Sequence, residues 1–288
     1  MNSTPFDELR QKIRPPCPAL DVHVHPVDGI GPHTVSSAAE DADFLLAAAR
    51  RSGVERMCLF SLDRSMAYDP SAELCCRAND YALRLRERAP EVFLPFAYVT
   101  PAYPEKAVAE VRRCVAGEGM VGIKLWVARR ATDPGLDPIM ELAVELDVPV
   151  LQHAYRKTVG QLPGESYPED VAALARRHPR ARIIMAHLNG VNPRGLEEVV
   201  DCPNVVVDTS GGDPENGMVE LAVQRLGPGR VVFGSDAPIR HFSISLAKIL
   251  GTDLPPETQR AILWNNAARL LPAKAGVKLL EEAVDENS

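Results

Sequence analysis

The chain has 288 residues, 45% hydrophobic and 25% charged, enough apolar material for one large domain or two ordinary ones. Its formal net charge of −7 argues against a nucleic-acid binder, which carries a basic surplus or stripe. No apolar run is long enough to cross a bilayer, Met1 to Arg14 lack a signal-peptide core, and the six cysteines form no disulfide-like framework, so a cytoplasmic, reducing setting is expected.

Taken in order, Leu20-Asp21-Val22-His23-Val24-His25-Pro26 has a period of two. As a strand it sets Leu20, Val22 and Val24 on an aliphatic outer face and Asp21, His23 and His25 on the inner one. Two neighbouring imidazoles suit a metal, although a half-buried strand showing histidines to solvent reads equally well from this motif alone. A loop rich in Gly, Pro and Ser (27–37) leads to a helix over 39–52. Strands then alternate with helices: strands over 55–62, 92–99, 121–127, 148–153, 181–187, 204–208 and 230–236. Helices are expected over 70–89, from Pro104, over 138–146 and 168–178, after Pro193, and over 214–226. Two more follow, 243–250 and 256–271, then a charged tail from Lys274 expected to fray. The pattern predicts an α/β fold, a single (β/α)8 TIM barrel over 19–272 with extra C-terminal helices, between an N-terminal extension (1–18) and the tail (273–288). Gly117-Glu118-Gly119-Met120-Val121-Gly122 matches a dinucleotide fingerprint, but it ends a helix and enters a strand, so it is a turn.

In such a barrel the reactive groups sit at the C-terminal ends of the strands. His23 and His25 close strand 1, Lys124 lies late in strand 4, and His153, His187 and Asp236 end strands 5, 6 and 8. Alternation opposes Lys124 to the aliphatic positions facing the helices, groups His187 with Ile183 and Met185, and groups Asp236 with Val232 and Gly234. Joint placement at one end of five strands points to a single site.

These pieces resemble the amidohydrolase superfamily, in particular its amidohydrolase-related branch of metal-dependent hydrolases and decarboxylases. The similar segments are Asp21-Val22-His23-Val24-His25, Gly122-Ile123-Lys124-Leu125, Gln152-His153-Ala154, Ala186-His187, Phe233-Gly234-Ser235-Asp236 and Asn265-Asn266-Ala267-Ala268-Arg269-Leu270-Leu271. The resemblance implies that His23, His25, His153 and Asp236 hold one divalent metal, zinc or else manganese. An open position on it would take a water whose pKa falls toward ~7, and Asp236 would accept that proton. His187 is either a ligand of a second metal or a group polarising the substrate. Lys124 is either a carbamate bridging two metals or an amine holding a carboxylate or oxyanion, the amine being preferred.

The loops after the strands carry Arg129, Arg130, Tyr155, Arg156, Lys157, Arg240 and His241, which suggests a small anionic substrate. Lys124, Trp126, Arg130, Tyr155, Arg156 and Arg240 are the candidate contacts, and a homo-oligomer is left open. The leading expectation is a hydrolase of an amide or lactone. The alternatives are a nonoxidative decarboxylase in which His187 and Asp236 handle the proton, a metal-free lactonase, and a barrel that only binds a ligand.

Overall fold

The computed structural model describes residues 14–30, 33–157, 159–188, 194–211 and 216–281. The starts of the helices expected from Pro193 and Pro214, most of the N-terminal extension and the end of the tail lie outside these. Eight parallel strands follow in spatial order: β1 (Ala19–Val24), β2 (Val54–Leu59), β3 (Phe93–Tyr98), β4 (Gly122–Leu125), β5 (Val150–Gln152), β6 (Ile183–Met185), β7 (Val205–Asp208) and β8 (Val231–Val232). The barrel closes through Val22 N–H to Phe233 O, Asp236 N–H to His23 O and His25 N–H to Ala237 O, at 3.0, 2.9 and 2.7 Å. The fold is the expected (β/α)8 barrel.

Helices α1 (Ala38–Ser52), α2 (Ala72–Arg88), α3 (Pro104–Val111), α4 (Asp137–Glu145), α5 (Pro168–Arg177), α6 (Arg194–Val199) and α7 (Met218–Leu226) separate the strands. Ser37 and Ser71 cap α1 and α2 by accepting the Glu40 and Leu74 N–H groups. Gly53 ends α1 in the left-handed conformation. Beyond β8 lie α8 (Phe242–Leu250), α9 (Pro256–Arg260) and α10 (Asn266–Leu270), the last two joined by a wider π-helical turn. The glycine-rich decoy is a turn into β4, with Gly119 at φ +75°. Among the described residues no helix is long and apolar enough to cross a membrane.

Both faces of the sheet are aliphatic, as a parallel sheet covered by helices requires. Ala19, Val24, Ile123, Leu125, Ile183 and Met185 pack outward with helix residues such as Leu45, Leu85, Ile139 and Leu174. Leu20, Val22, Phe60, Phe96, Leu151, Ile184 and Val232 fill the barrel.

Strand alternation breaks down in two places. The aliphatic face of β1 is not wholly outward: Leu20 and Val22 lie inside and only Val24 packs outward. Pairing with β2 slips between Asp21 and Val24, and this bulge turns His23 inward next to Val22. The Asp21 carboxylate stabilises it by accepting the N–H of His23 at 2.9 Å and of Ser235 at 3.0 Å. In β6, Ile183 and Met185 face the helices, so simple alternation would send His187 outward. Instead its backbone adopts φ +65°, and the turn carries the imidazole into the mouth.

The tail, expected to fray, is held down as far as Leu280. Trp264 Nε1–H donates to Lys278 O at 2.7 Å, Asn265 exchanges bonds with both backbone groups of Leu280, and Lys274 reaches Val115 O. Ala275, Val277 and Leu280 pack with Trp264 on the interior cluster, so apolar residues hidden among the charges anchor the segment. A chain ending at Pro272 loses this contact, an apolar burial worth about 2 kcal/mol. Its thermal midpoint should fall by about 4 °C in calorimetry; an unchanged midpoint would show that the segment contributes nothing.

Candidate metal centre and active site

The geometry starts from Asp208, the last residue of β7. Its Oδ1 accepts the N–H of His187 at 3.0 Å, the N–H of Ser210 at 2.9 Å and the Ser210 hydroxyl, while Oδ2 faces His23 Nδ1 at 2.9 Å. Carboxylates only accept, so His23 carries its proton on Nδ1 and its lone pair on Nε2. That lone pair points at Asp236 Oδ1, 3.4 Å away, and His25 Nε2 approaches the same oxygen at 3.3 Å. A lone pair facing a carboxylate oxygen is repulsive unless a cation lies between them. His23, His25 and Asp236, all buried, thus fit a divalent metal, with donor atoms within 4.8 Å of one another. His23, His187 and Asp208 also cluster, but Asp208 already receives four donors and has little capacity left for an ion.

His153 is not in that three-residue group. Its Nε2 faces Glu165 Oε1 at 2.7 Å and its Nδ1 faces His187 Nε2 at 3.2 Å. His187 Nδ1 meets Ser210 Oγ at 3.0 Å. The rings of His23 and His25 lie against Phe60, and Lys124 Nζ sits 4.5 Å from the centre of the same ring. The six residues expected from five strands therefore meet in one mouth.

Burial dominates their electrostatics. It pushes His23 well below the ordinary imidazole value, helped by Lys124, and lowers His187, helped by His153 and His23. It also lowers His153 despite the bond to Glu165. These imidazoles are neutral near pH 7, as ligands must be. Burial would raise Asp236, but the His25 hydrogen bond and the nearness of His23, His25 and Lys124 outweigh it and hold the carboxyl at about 2. Burial raises Glu165 too, and there the bonds from His153 and Lys157 prevail and keep it low. Asp21 is pushed up to about 8 by burial, against the Ser235 and His23 bonds, and its second oxygen has no partner. Lys124 falls to about 7 by burial, opposed by Asp236 and Asp208, and its Nζ has no hydrogen-bond partner at 0% exposure.

Of the expected substrate contacts, Arg240 Nη1 donates to Asp236 Oδ2 at 3.2 Å and Tyr155 sets its ring on His187 with centroids 5.2 Å apart. Trp126, two residues beyond Lys124, meets the Tyr68 ring at a 60° tilt and packs in one apolar cluster with Tyr98, Leu62 and Leu162. Arg130 and Arg156 are placed differently. Both lie over the Tyr167 ring and are matched by carboxylates of this chain, Asp170 for Arg130 and Glu169 and Glu198 for Arg156. His33 rests on Phe44 at the surface and His178 on Asp137.

Sequence reasoning missed Asp208, Ser210 and Glu165. Asp208-Thr209-Ser210-Gly211 ends strand 7 at the same end of the barrel, so the rule that found the others could have found it. Glu165 sits in an irregular loop twelve residues past His153 and gave no signal.

Replacing the lone buried amine in Lys124→Met should stabilise the metal-free protein near pH 7 by an amount of order 1–4 kcal/mol. Between about 7 and the ordinary 10.5, the unfolded chain keeps a proton on Lys124 that the folded chain has lost. Wild-type stability therefore rises with pH across that window, and the advantage of the variant should shrink in urea unfolding at pH 9.5. An equal difference at both pH values would contradict the buried-amine assignment.

The fold is shared with several solved enzymes. A 2,6-dihydroxybenzoate decarboxylase from Rhizobium is 20% identical with a TM-score of 0.69, over 88% of this chain and 98% of that one. A dihydroxybenzoic acid decarboxylase from Polaromonas sp. JS666, solved with manganese and 2-nitroresorcinol, is 18% identical at 0.69, over 88% and 96%. A 5-carboxyvanillate decarboxylase from Novosphingobium aromaticivorans, with manganese and 4-hydroxy-3-methoxy-5-nitrobenzoic acid, is 14% identical at 0.70, over 90% and 98%. The Amidohydrolase family profile matches residues 20–273, nearly the whole barrel, and the chain belongs to that family.

Proposed function

We propose that the protein is a metal-dependent nonoxidative decarboxylase of a small aromatic or unsaturated carboxylic acid. The observation that carries this reading is a buried His23–His25–Asp236 donor group beside an unpartnered amine, Lys124. Support comes from the decarboxylases that share the fold, two of them solved with manganese. This departs from the leading sequence expectation, hydrolysis, and takes up its alternative.

His23, His25 and Asp236 would hold the metal, with His153 and His187 paired in the same mouth; the donor set suits manganese or zinc. When bound, the ion would draw in anionic oxygens of the substrate and stabilise charge that develops as carbon dioxide leaves. Lys124 supplies the charge match: with its amine drawn down to about 7 and so only partly protonated near neutral pH, an arriving carboxylate would favour the protonated form. Trp126 and Tyr68, with Tyr98 packed behind them, would offer aromatic surface to an unsaturated ring. Arg240 steadies the second oxygen of Asp236; ionised and holding no proton of its own, that carboxylate would, with His187, accept a proton arriving from solvent and relay it to the carbon that loses carbon dioxide. The bond to the carboxyl carbon breaks, its electron pair takes the proton, and no oxidant is needed. The low exposure of these groups keeps bulk water from competing.

Hydrolysis of an amide or lactone is the second reading, favoured by the description of the matched family and by a carboxylate, Asp236, able to take a proton from water. A panel of hydroxybenzoic and unsaturated acids, offered in deuterium oxide with manganese or zinc, separates the two. Decarboxylation puts one deuterium on the product carbon. A product that instead gains oxygen from labelled water would overturn the decarboxylase reading. Asp236→Asn should reduce kcat by about 100-fold or more. A variant with unchanged kcat would remove Asp236 from the proton path.

A further inference from the structure

Glu165 is a fully buried carboxylate beyond the expected ligand set, and the chain takes trouble to place it. Its Oε1 lies 2.7 Å from His153 Nε2 and 2.8 Å from Lys157 Nζ, and its Oε2 accepts the Leu162 N–H at 3.0 Å. The loop that carries it is tied back to the end of β5: Tyr155 N–H donates to Ser166 O at 2.9 Å, and Ser166 Oγ accepts from Ala131 N–H and Gln152 Nε2. The carboxylate is thus delivered to His153 by a braced segment, with each oxygen satisfied.

An ionised carboxylate can only accept, so the proton of His153 must sit on Nε2 and the lone pair on Nδ1. That nitrogen is the one turned inward, 3.2 Å from His187 Nε2. We infer that Glu165 is a positioning residue that fixes the ring and tautomer of His153 so that the Nδ1 lone pair faces the metal cavity. The arrangement parallels Asp208 on His23, where the carboxylate takes Nδ1 and leaves Nε2 inward. Two imidazoles of opposite tautomer are thereby aimed at one space by two buried carboxylates. Such outer partners set ligand basicity and orientation, and their loss commonly weakens metal binding 10–100-fold. The consequence for metal affinity rests on the proposed metal centre; the tautomer does not.

The test uses the full-length protein with 15N-labelled histidine, stripped of metal, and long-range proton–nitrogen NMR at neutral pH. Wild type should show His153 protonated on Nε2. Glu165→Gln can turn its amide N–H toward that nitrogen, and His153 should shift toward the Nδ1–H form. Manganese affinity, measured by chelator competition, should fall 10–100-fold with the circular dichroism spectrum unchanged. A purely structural Glu165 would lower the melting temperature and leave the tautomer alone. An Nδ1–H form in wild type, or a variant with wild-type tautomer and affinity, overturns the inference. If wild type binds no metal, the proposed centre falls, while Nε2–H on His153 in wild type and its loss in the variant still uphold the assignment to Glu165.

Discussion

The carboxylate of Asp208 is the joint on which the site depends. It ends β7, yet it receives donors from three places: the His23 ring after the β1 bulge, the His187 backbone after β6, and Ser210 on its own loop. Its fixed negative charge decides which nitrogen of His23 is free, and its bond to the His187 N–H holds a backbone that an ordinary strand would not adopt. Each buried hydrogen bond of this kind is worth about 1–3 kcal/mol, and removing one partner strands the rest. Space around it is correspondingly tight. A Cβ added at Gly234 would lie 3.0 Å from Asp208 Cβ, and one at Gly211, where φ is +71°, would lie 2.6 Å from His187 Nδ1.

The strain in this region is concentrated where the chemistry is. His187 and Asp236 take φ +65° and +64°, a left-handed conformation that costs non-glycine residues of the order of 1–3 kcal/mol each. Both follow short strands, and in both the turn moves a functional group off the sheet and into the mouth. The scaffold over-determines these conformations through bonds that span the barrel seam, including His25 N–H to Ala237 O and Ser235 N–H to Asp21. Rigid strands supply the address, and strained residues just past their ends supply the aim.

Much of this was legible in the sequence because strand-end position is a one-dimensional property. Eight apolar runs separated by helical patterns give the barrel, and the polar residues closing five of them give the site. Side-chain direction was less legible. Alternation placed Lys124 correctly, opposite Ile123 and Leu125, but it misassigned β1 and β6, since a bulge and a left-handed residue depend on partners distant in sequence. The same limit hid Glu165, whose meaning comes from a loop folding back on His153. Loop charge is also a property of the fold: Arg130 and Arg156 carry positive charge in the sequence, and Asp170, Glu169 and Glu198 meet them in the structure. The tail looked charged and free, although three apolar residues and the carbonyls facing Trp264 and Asn265 bind it down.

If His23, His25 and Asp236 form a centre for one divalent ion, the metal content of the protein will show it. Untagged protein never exposed to chelator, examined by plasma mass spectrometry beside the His23→Ala, His25→Ala double variant, should carry about one equivalent of manganese or zinc that the variant lacks. Protein that contains no metal, and takes up none from a manganese or zinc solution, would contradict the account and leave the buried histidines and Asp236 to bind substrate without an ion.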